Sequence, residues 1–259
     1  MTEQIDIEKI IEAAKAGGEV LKKYFGQTLE VIAKTKAADF KTKADIESEA
    51  AILAVLDKNF PTFNIYSEEA GEIKKNSECT FYIDPLDGTN NFVLGIPNFS
   101  VSIGLVKNNE ILAGVIYSPV VENLCHAIKG QGAFCGGEKL FVSKETNIEN
   151  ATVCHNCGYD GYHEHTVNAF DKLYSKKAKR FMSNWSPTFD FCMLALGRVE
   201  SIINNNSELY DFTAGKLIAK EAGAMVTDFN GLPESSELNR QFVISCTNEI
   251  NKEVLEAIK

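Results

Sequence analysis

The stretch Phe81-Tyr82-Ile83-Asp84-Pro85-Leu86-Asp87-Gly88-Thr89 constrains this chain more than any other. Phe81 to Ile83 is a short apolar run that reads as a buried strand, ending at Asp84 and Pro85. Asp87 follows, then Gly88-Thr89-Asn90, which suits a tight turn opening a helix. The pattern fixes two carboxylates at a rigid strand end, beside backbone N–H groups able to receive an anion. Oxygen-only ligands of this kind select hard cations such as Mg²⁺. A cation next to an anion cradle points to phosphate chemistry.

Two further acidic positions lie outside this stretch. Asn64-Ile65-Tyr66-Ser67 reads as a short strand running into Glu68 and Glu69, and Asp211 is placed to cap the helix that follows it. Taken alone, Glu68-Glu69 is a solvated loop pair and Asp211 only an N-cap. Taken with Asp84 and Asp87, all three become candidate ligands.

Periodicity organises the remainder as mixed α and β. Ile7, Ile10, Ile11, Ala14 and Leu21 line one face of a helix ending near Phe25, and Ile46 to Asn59 is a second helix closed by Pro61. From Phe99 to Phe141 the pattern alternates and is β-branched, with turns at Asn108-Asn109, Gly130–Gly132 and Gly136-Gly137, as in an antiparallel meander. Helices must cover its apolar face. The second half alternates strand and helix. Strands fall near Ala151 and at Val199–Ile203, Met225–Asp228 and Gln241–Cys246; helices fall at Thr166–Tyr174, Pro187–Leu196, Asp211–Glu221 and Asn248–Ile258.

Composition excludes several classes. A net charge of −10 argues against a general nucleic-acid surface, and no apolar run reaches the length of a membrane span. The same charge disfavours an anionic substrate unless a bound metal reverses the local field. Seven scattered cysteines and an N-terminus without an apolar leader point to a cytoplasmic thiol protein rather than a disulfide scaffold. Cys154, Cys157, His163 and His165 have the makings of a zinc set. Ala151 to Cys154 instead reads as a strand entering a Gly-Tyr-Asp-Gly turn, with Cys154 a small buried residue and the histidines on the surface.

The ordered motifs resemble the inositol monophosphatase family of Mg²⁺-dependent, lithium-sensitive phosphatases. Asp84-Pro-Leu-Asp-Gly-Thr89 with Asn91-Phe92 matches its central signature, Glu68-Glu69 its upstream pair, and Tyr210-Asp211-Phe-Thr-Ala-Gly215 its downstream segment with Tyr for the usual Trp. Thr42-Lys-Ala-Asp45 resembles the family's Thr-x-x-Asp. The resemblance implies an α+β fold layered α-β-α-β-α. It implies one domain over 1–259 in two closely packed halves, roughly 1–145 and 146–259, and a homodimer.

It also implies roles. Glu68, Asp84 and the Leu86 carbonyl would bind one Mg²⁺, and Asp84, Asp87 and Asp211 a second, with a weaker third ion resting on Glu68. Thr89, backed by Asp45, would orient an attacking water, and the N–H groups of Gly88 and Thr89 would bind phosphate. Lys34 reads as a solvated lysine, with positioning of the nearby loop as its other reading. The substrate side departs from the family pattern: Trp185-Ser-Pro-Thr188 is bulkier and stiffer than the usual small-residue stretch, and Asn204 stands where a polyol-binding glutamate is expected. Inositol 1-phosphate, other polyol and sugar phosphates, glycerol phosphate, fructose 1,6-bisphosphate and NADP all stay open as substrates. Some bacterial members also bind the transcription machinery, so a role as an antitermination partner stands beside the enzymatic one.

Overall fold

Two β-sheets separate three layers of helices in the computed structural model, which describes residues 5–34, 39–158 and 163–259. The first layer pairs α1 (Ile7–Tyr24) with α2 (Lys43–Asn59), between which β1 (Val31–Ala33) and β2 (Phe40–Thr42) form a small hairpin. Gly17 lets the two helices meet closely, since a Cβ there would lie 2.7 Å from Ser48 Oγ. The helix expected from Ile46 starts three residues earlier, because Thr42 and Asp45 close a reciprocal capping box.

The eight-stranded sheet comes next. It is built from β3 (Asn64–Ser67), β4 (Gly71–Ile73), β5 (Cys79–Asp87), β6 (Ser100–Lys107), β7 (Glu110–Ser118), β8 (Asn123–Ile128), β9 (Ala133–Cys135) and β10 (Glu138–Lys139). Its order is β10-β9-β8-β7-β6-β5-β3-β4, and from β5 to β10 it is the expected antiparallel meander. Asn108 and Asn109 both take positive φ in the tight β6–β7 turn. Five cysteines are free, while Cys125 and Cys135, register partners on β8 and β9, are joined as a disulfide within one sheet. The short α3 (Thr89–Val93) follows β5 directly.

A second sheet holds β11 (Thr152–Cys157), β12 (Arg180–Met182), β13 (Ser201–Asn205), β14 (Met225–Thr227) and β15 (Gln241–Ser245) in the order β12-β11-β13-β15-β14. Strands β12, β11 and β13 are parallel, so their carboxyl ends share one edge. Between the sheets lie α5 (Pro187–Ala195) and α6 (Leu209–Glu221), and outside the second sheet lie α4 (His163–Ser175) and α7 (Asn248–Ile258). The fold is α+β, layered α-β-α-β-α. Phe191, Phe212 and Phe242 join α5, α6 and β15 in one aromatic cluster. Helix α6 starts at Leu209 rather than Asp211, with Glu208 as its N-cap. Among the described residues no helix is long and apolar enough to cross a membrane.

Candidate active site

Asp84 and Asp87 are three residues apart, a spacing that places side chains on opposite faces of a regular strand. The β5–β6 register resolves this. Asp84 pairs with Ser102 and Asp87 with Ser100, so three steps on β5 oppose two on β6. The bulge falls at Pro85-Leu86, where proline has no N–H to waste, and it turns both carboxylates to one side. Asp84 Oδ1 accepts from the Leu86 N–H at 2.9 Å, and Ser48 of α2 donates to the Pro85 carbonyl at 2.8 Å.

Asp211 approaches from the middle helical layer. As the third residue of α6 it accepts from the Glu208 N–H at 2.9 Å, which fixes its carboxylate at the helix start. Asp84, Asp87 and Asp211 each offer one oxygen within a 4.8 Å circle. Burial raises all three acids above the ordinary aspartate range, and mutual repulsion raises Asp84 and Asp211 further. Asp87 is pushed up to about 6, with hydrogen bonds from Ser186 and Thr188 holding it below that of an unassisted buried acid.

Glu68 lies outside this trio but within hydrogen-bonding reach of Asp84, and burial pushes it up to about 7 against the pull of Lys34. Lys34 is not the solvated residue the sequence suggests. Its Nζ lies 2.7 Å from Glu68 Oε1 and also pairs with Glu69, and Lys41 reaches Glu69 Oε2 at 2.8 Å. The solvated-pair reading of Glu68-Glu69 fails with it, since the Glu69 side chain is 3% exposed. The β1–β2 hairpin thus delivers two ammonium groups to two carboxylates. Sequence reasoning missed Lys41, for which a three-residue strand gives no signal of where its side chain ends.

Thr89 Oγ1 lies 3.1 Å from Asp45 Oδ1 and 3.0 Å from the Leu86 carbonyl, while Asp45 Oδ2 accepts from the N–H and hydroxyl of Thr42, each at 2.7 Å. Between Asp87 and Thr89, Gly88 adopts φ of 90° and a Cβ there would sit 2.9 Å from the Asn98 carbonyl, so only glycine fits. It stands as the left-handed N-cap of α3, with Thr89 as the first helical residue.

The Trp185–Thr188 stretch supports Asp87. Ser186 Oγ donates to Asp87 Oδ2 at 2.6 Å, the Thr188 N–H does so at 3.0 Å, and the Thr188 hydroxyl bonds the same oxygen. Asn91 Nδ2 braces the segment through the Asn184 carbonyl at 2.7 Å, and Asn184 Nδ2 donates to buried Asp190 at 2.6 Å. Ser186 and Thr188 were invisible as site residues in the sequence, because their partner is about a hundred positions away. Trp185 itself is 47% exposed. Asn204 is fully buried at the carboxyl end of β13, donating to the Arg240 carbonyl at 2.8 Å, and its Oδ1 accepts no hydrogen bond. Cys154 is buried on β11 as expected, while the Tyr159–Gly161 turn and the His163 and His165 side chains of the zinc alternative lie outside the described residues.

The donor set fits a hard divalent cation. Its ligand atoms are all oxygens, its acids are held close against their own repulsion, and among the described residues Lys34 pairs with Glu68 rather than with the trio.

The comparisons agree with this geometry. The model of the inositol monophosphatase family matches residues 3–259. A Thermotoga maritima protein named fructose-1,6-bisphosphatase/inositol-1-monophosphatase is 32% identical over 96% of this chain and 93% of its own length. A Pasteurella multocida protein named Nus factor SuhB is 32% identical over 96% of this chain and 94% of its own. The crystal structure of the extragenic suppressor protein suhB from Bartonella henselae superposes with a TM-score of 0.90 at 30% identity, covering 98% of both chains. With its bulged acidic strand, its α6 aspartate and these whole-length matches, the chain belongs to the inositol monophosphatase family.

Proposed function

We propose that the protein is a Mg²⁺-dependent phosphomonoesterase that hydrolyses inositol 1-phosphate or a related small polyol or sugar phosphate by direct attack of water. The observation that carries this is the convergence of Asp84, Asp87 and Asp211 from a bulged strand and a helix start within 4.8 Å. Glu68, Asp84 and the Leu86 carbonyl would hold one ion; Asp84, Asp87 and Asp211 would hold a second, and a third would rest on Glu68. Bound there, divalent cations neutralise phosphate oxygens and lower the pKa of a water.

The protein's own groups do the positioning. Thr89 has one hydroxyl proton, which Asp45 Oδ1 at 3.1 Å and the Leu86 carbonyl at 3.0 Å are both placed to accept. With the proton so committed, the Thr89 oxygen would serve as an acceptor for the attacking water. The N–H groups of Gly88 and Thr89 would receive the phosphate at the start of α3. Asn204 has an unsatisfied Oδ1 but is fully buried, so it would accept from a substrate hydroxyl only if the end of β13 opened to admit one.

The test is phosphate release from inositol 1-phosphate, glycerol 2-phosphate, fructose 1,6-bisphosphate, NADP and adenosine 3′,5′-bisphosphate, with Mg²⁺ or EDTA and with lithium. Mg²⁺-dependent release with one favoured ester is expected. No release from any ester by folded protein that binds Mg²⁺ would overturn the proposal.

A second role rests on the similarity to proteins named Nus factor SuhB. On this account the chain also contacts the transcription machinery, independently of turnover. A cellular phenotype that survives Asp84→Asn would favour it; one lost with Asp84→Asn would not.

A further inference from the structure

We infer that Glu49 is a positioning residue that fixes the Glu68–Ala70 turn and thereby sets how tightly the acidic cluster holds a divalent cation. The inference rests on the cation reading of that cluster. Helix α2 presents Asp45, Ser48 and Glu49 at spacings of three and four, which places them on one face. Each reaches a different part of the site. Asp45 meets Thr89, and Ser48 meets the carbonyl of Pro85.

Glu49 takes the third part. Its Oε1 accepts from the Ser67 hydroxyl, from the Glu69 N–H at 3.2 Å and from the Ala70 N–H at 3.0 Å. Three donors therefore converge on one oxygen of a side chain that is 7% exposed. They bracket Glu68, whose own N–H is bonded to the Ile83 carbonyl at 3.1 Å, one residue before Asp84. The backbone carrying Glu68 is thus pinned on the β5 side by Ile83 and on the α2 side by Glu49. With Glu49 removed, the two turn N–H groups lose their acceptor and the turn is free to re-form around water.

A carboxyl side chain in this place is costly. Glu69 and Asp45 already crowd the region with negative charge, and burying another carboxylate adds desolvation. What the turn requires of Glu49 is an acceptor oxygen at this position, where the three donors converge.

The experiment is calorimetric titration of Mg²⁺ into the full chain and its variants, with thermal unfolding in EDTA run alongside. Glu49→Ala is expected to weaken Mg²⁺ binding about 10–100-fold, the range seen when groups supporting metal ligands are removed. Glu49→Gln keeps an acceptor oxygen at the same reach and should stay within about threefold of the native protein. A purely electrostatic role would make Glu49→Gln as weak as Glu49→Ala, and would overturn the inference. A merely structural role would lower the unfolding temperature in EDTA and leave Mg²⁺ affinity unchanged, which would overturn it too. Should Glu49→Ala fail to fold, Ser67→Ala removes one of the three donors and is expected to weaken Mg²⁺ binding about threefold. Unchanged affinity in that variant would also overturn the inference. If the native chain binds no Mg²⁺, the cation reading itself falls, and the inference with it.

Discussion

Thr188 gives both its backbone N–H and its hydroxyl to one oxygen of Asp87, across 101 residues of chain. The contact couples the first residues of α5 to the bulged end of β5, and so binds the middle helical layer to the first sheet at the acidic cluster. Ser186 adds a third donor to the same oxygen. The carboxylate is thereby fixed in place beside Asp84 and Asp211.

Removing one of these donors should be felt as lost metal affinity. Thr188→Val keeps the side-chain volume and deletes the hydroxyl. A hydrogen bond to a charged group is worth about 1.5–3 kcal/mol, so about a tenfold loss or more is expected in kcat/KM at limiting Mg²⁺. The loss should shrink as Mg²⁺ saturates. A variant with native kcat/KM at every Mg²⁺ concentration would show that these bonds do not position Asp87.

Asp84→Asn tests the centre of the cluster. Asp84 is pressed by burial and by the charges of Glu68, Asp87 and Asp211. The amide removes the shared ligand and one source of repulsion together. Turnover and Mg²⁺ binding should both be abolished, while the unfolding temperature in EDTA rises above that of the native protein near neutral pH. Near-native turnover at saturating Mg²⁺ would contradict the assignment of Asp84 as a ligand.

Much of this site was legible because its chemistry is local. Asp84, Asp87, Gly88 and Thr89 sit in one run whose strand and turn are signalled by neighbours, with glycine at a positive φ; the strand does not end at Asp84 and Pro85 as expected but continues through a bulge to Asp87. The carboxylate of Asp211 was legible, but its helix position was not, because Glu208 takes the cap and Asp211 the third place. What stayed hidden depends on distant partners. Lys34 and Lys41 carry charges that ordinarily seek water, and only the folded hairpin places them on Glu68 and Glu69. Ser48 and Glu49 had a usable signal: they interrupt the buried stripe of α2, between Ala44 and Ile52, with polar residues at core spacing. A polar residue in an apolar stripe needs a buried partner. The position of Asn204 was legible but its setting was not: it is fully buried within β13, with its Oδ1 left without a partner.

The raised carboxylates give a sign to the pH dependence. In the metal-free chain Asp87 titrates at about 6 and Glu68 at about 7, both pushed up chiefly by burial, and Asp84 and Asp211 are raised as well. Above an ordinary unfolded carboxyl value the folded state therefore holds more protons than the unfolded state. The stability these groups contribute is fully present at acid pH and is lost as pH rises through about 6 to 7. Mg²⁺ favours the ionised forms and opposes the loss. Thermal unfolding in EDTA should fall in midpoint from about pH 5 to about pH 8, while the increase produced by Mg²⁺ grows over the same interval. An Mg²⁺ increment equal at both ends would contradict titration of this cluster.

Trp185 offers a direct optical report on the same cluster. It is the sole tryptophan in the chain, and its φ of 58° is uncommon for so bulky a side chain. The neighbouring residues hold it there. Asn184 is tied through its carbonyl to Asn91 and through its amide to Asp190, and Ser186 is bonded to Asp87. Its indole, 47% exposed, is thus one residue from a donor to a proposed metal ligand. Cation binding that changes the charge on Asp87 should alter the Ser186 bond and shift the emission of Trp185. Titration of the native chain with Mg²⁺ should give a saturable change whose midpoint equals that from calorimetry. Asp84→Asn should give none, and Thr188→Val should give the same change at higher Mg²⁺. A native chain that binds Mg²⁺ by calorimetry with no change in emission would mean that the 184–188 segment does not respond to the cation and serves only as a fixed brace for Asp87.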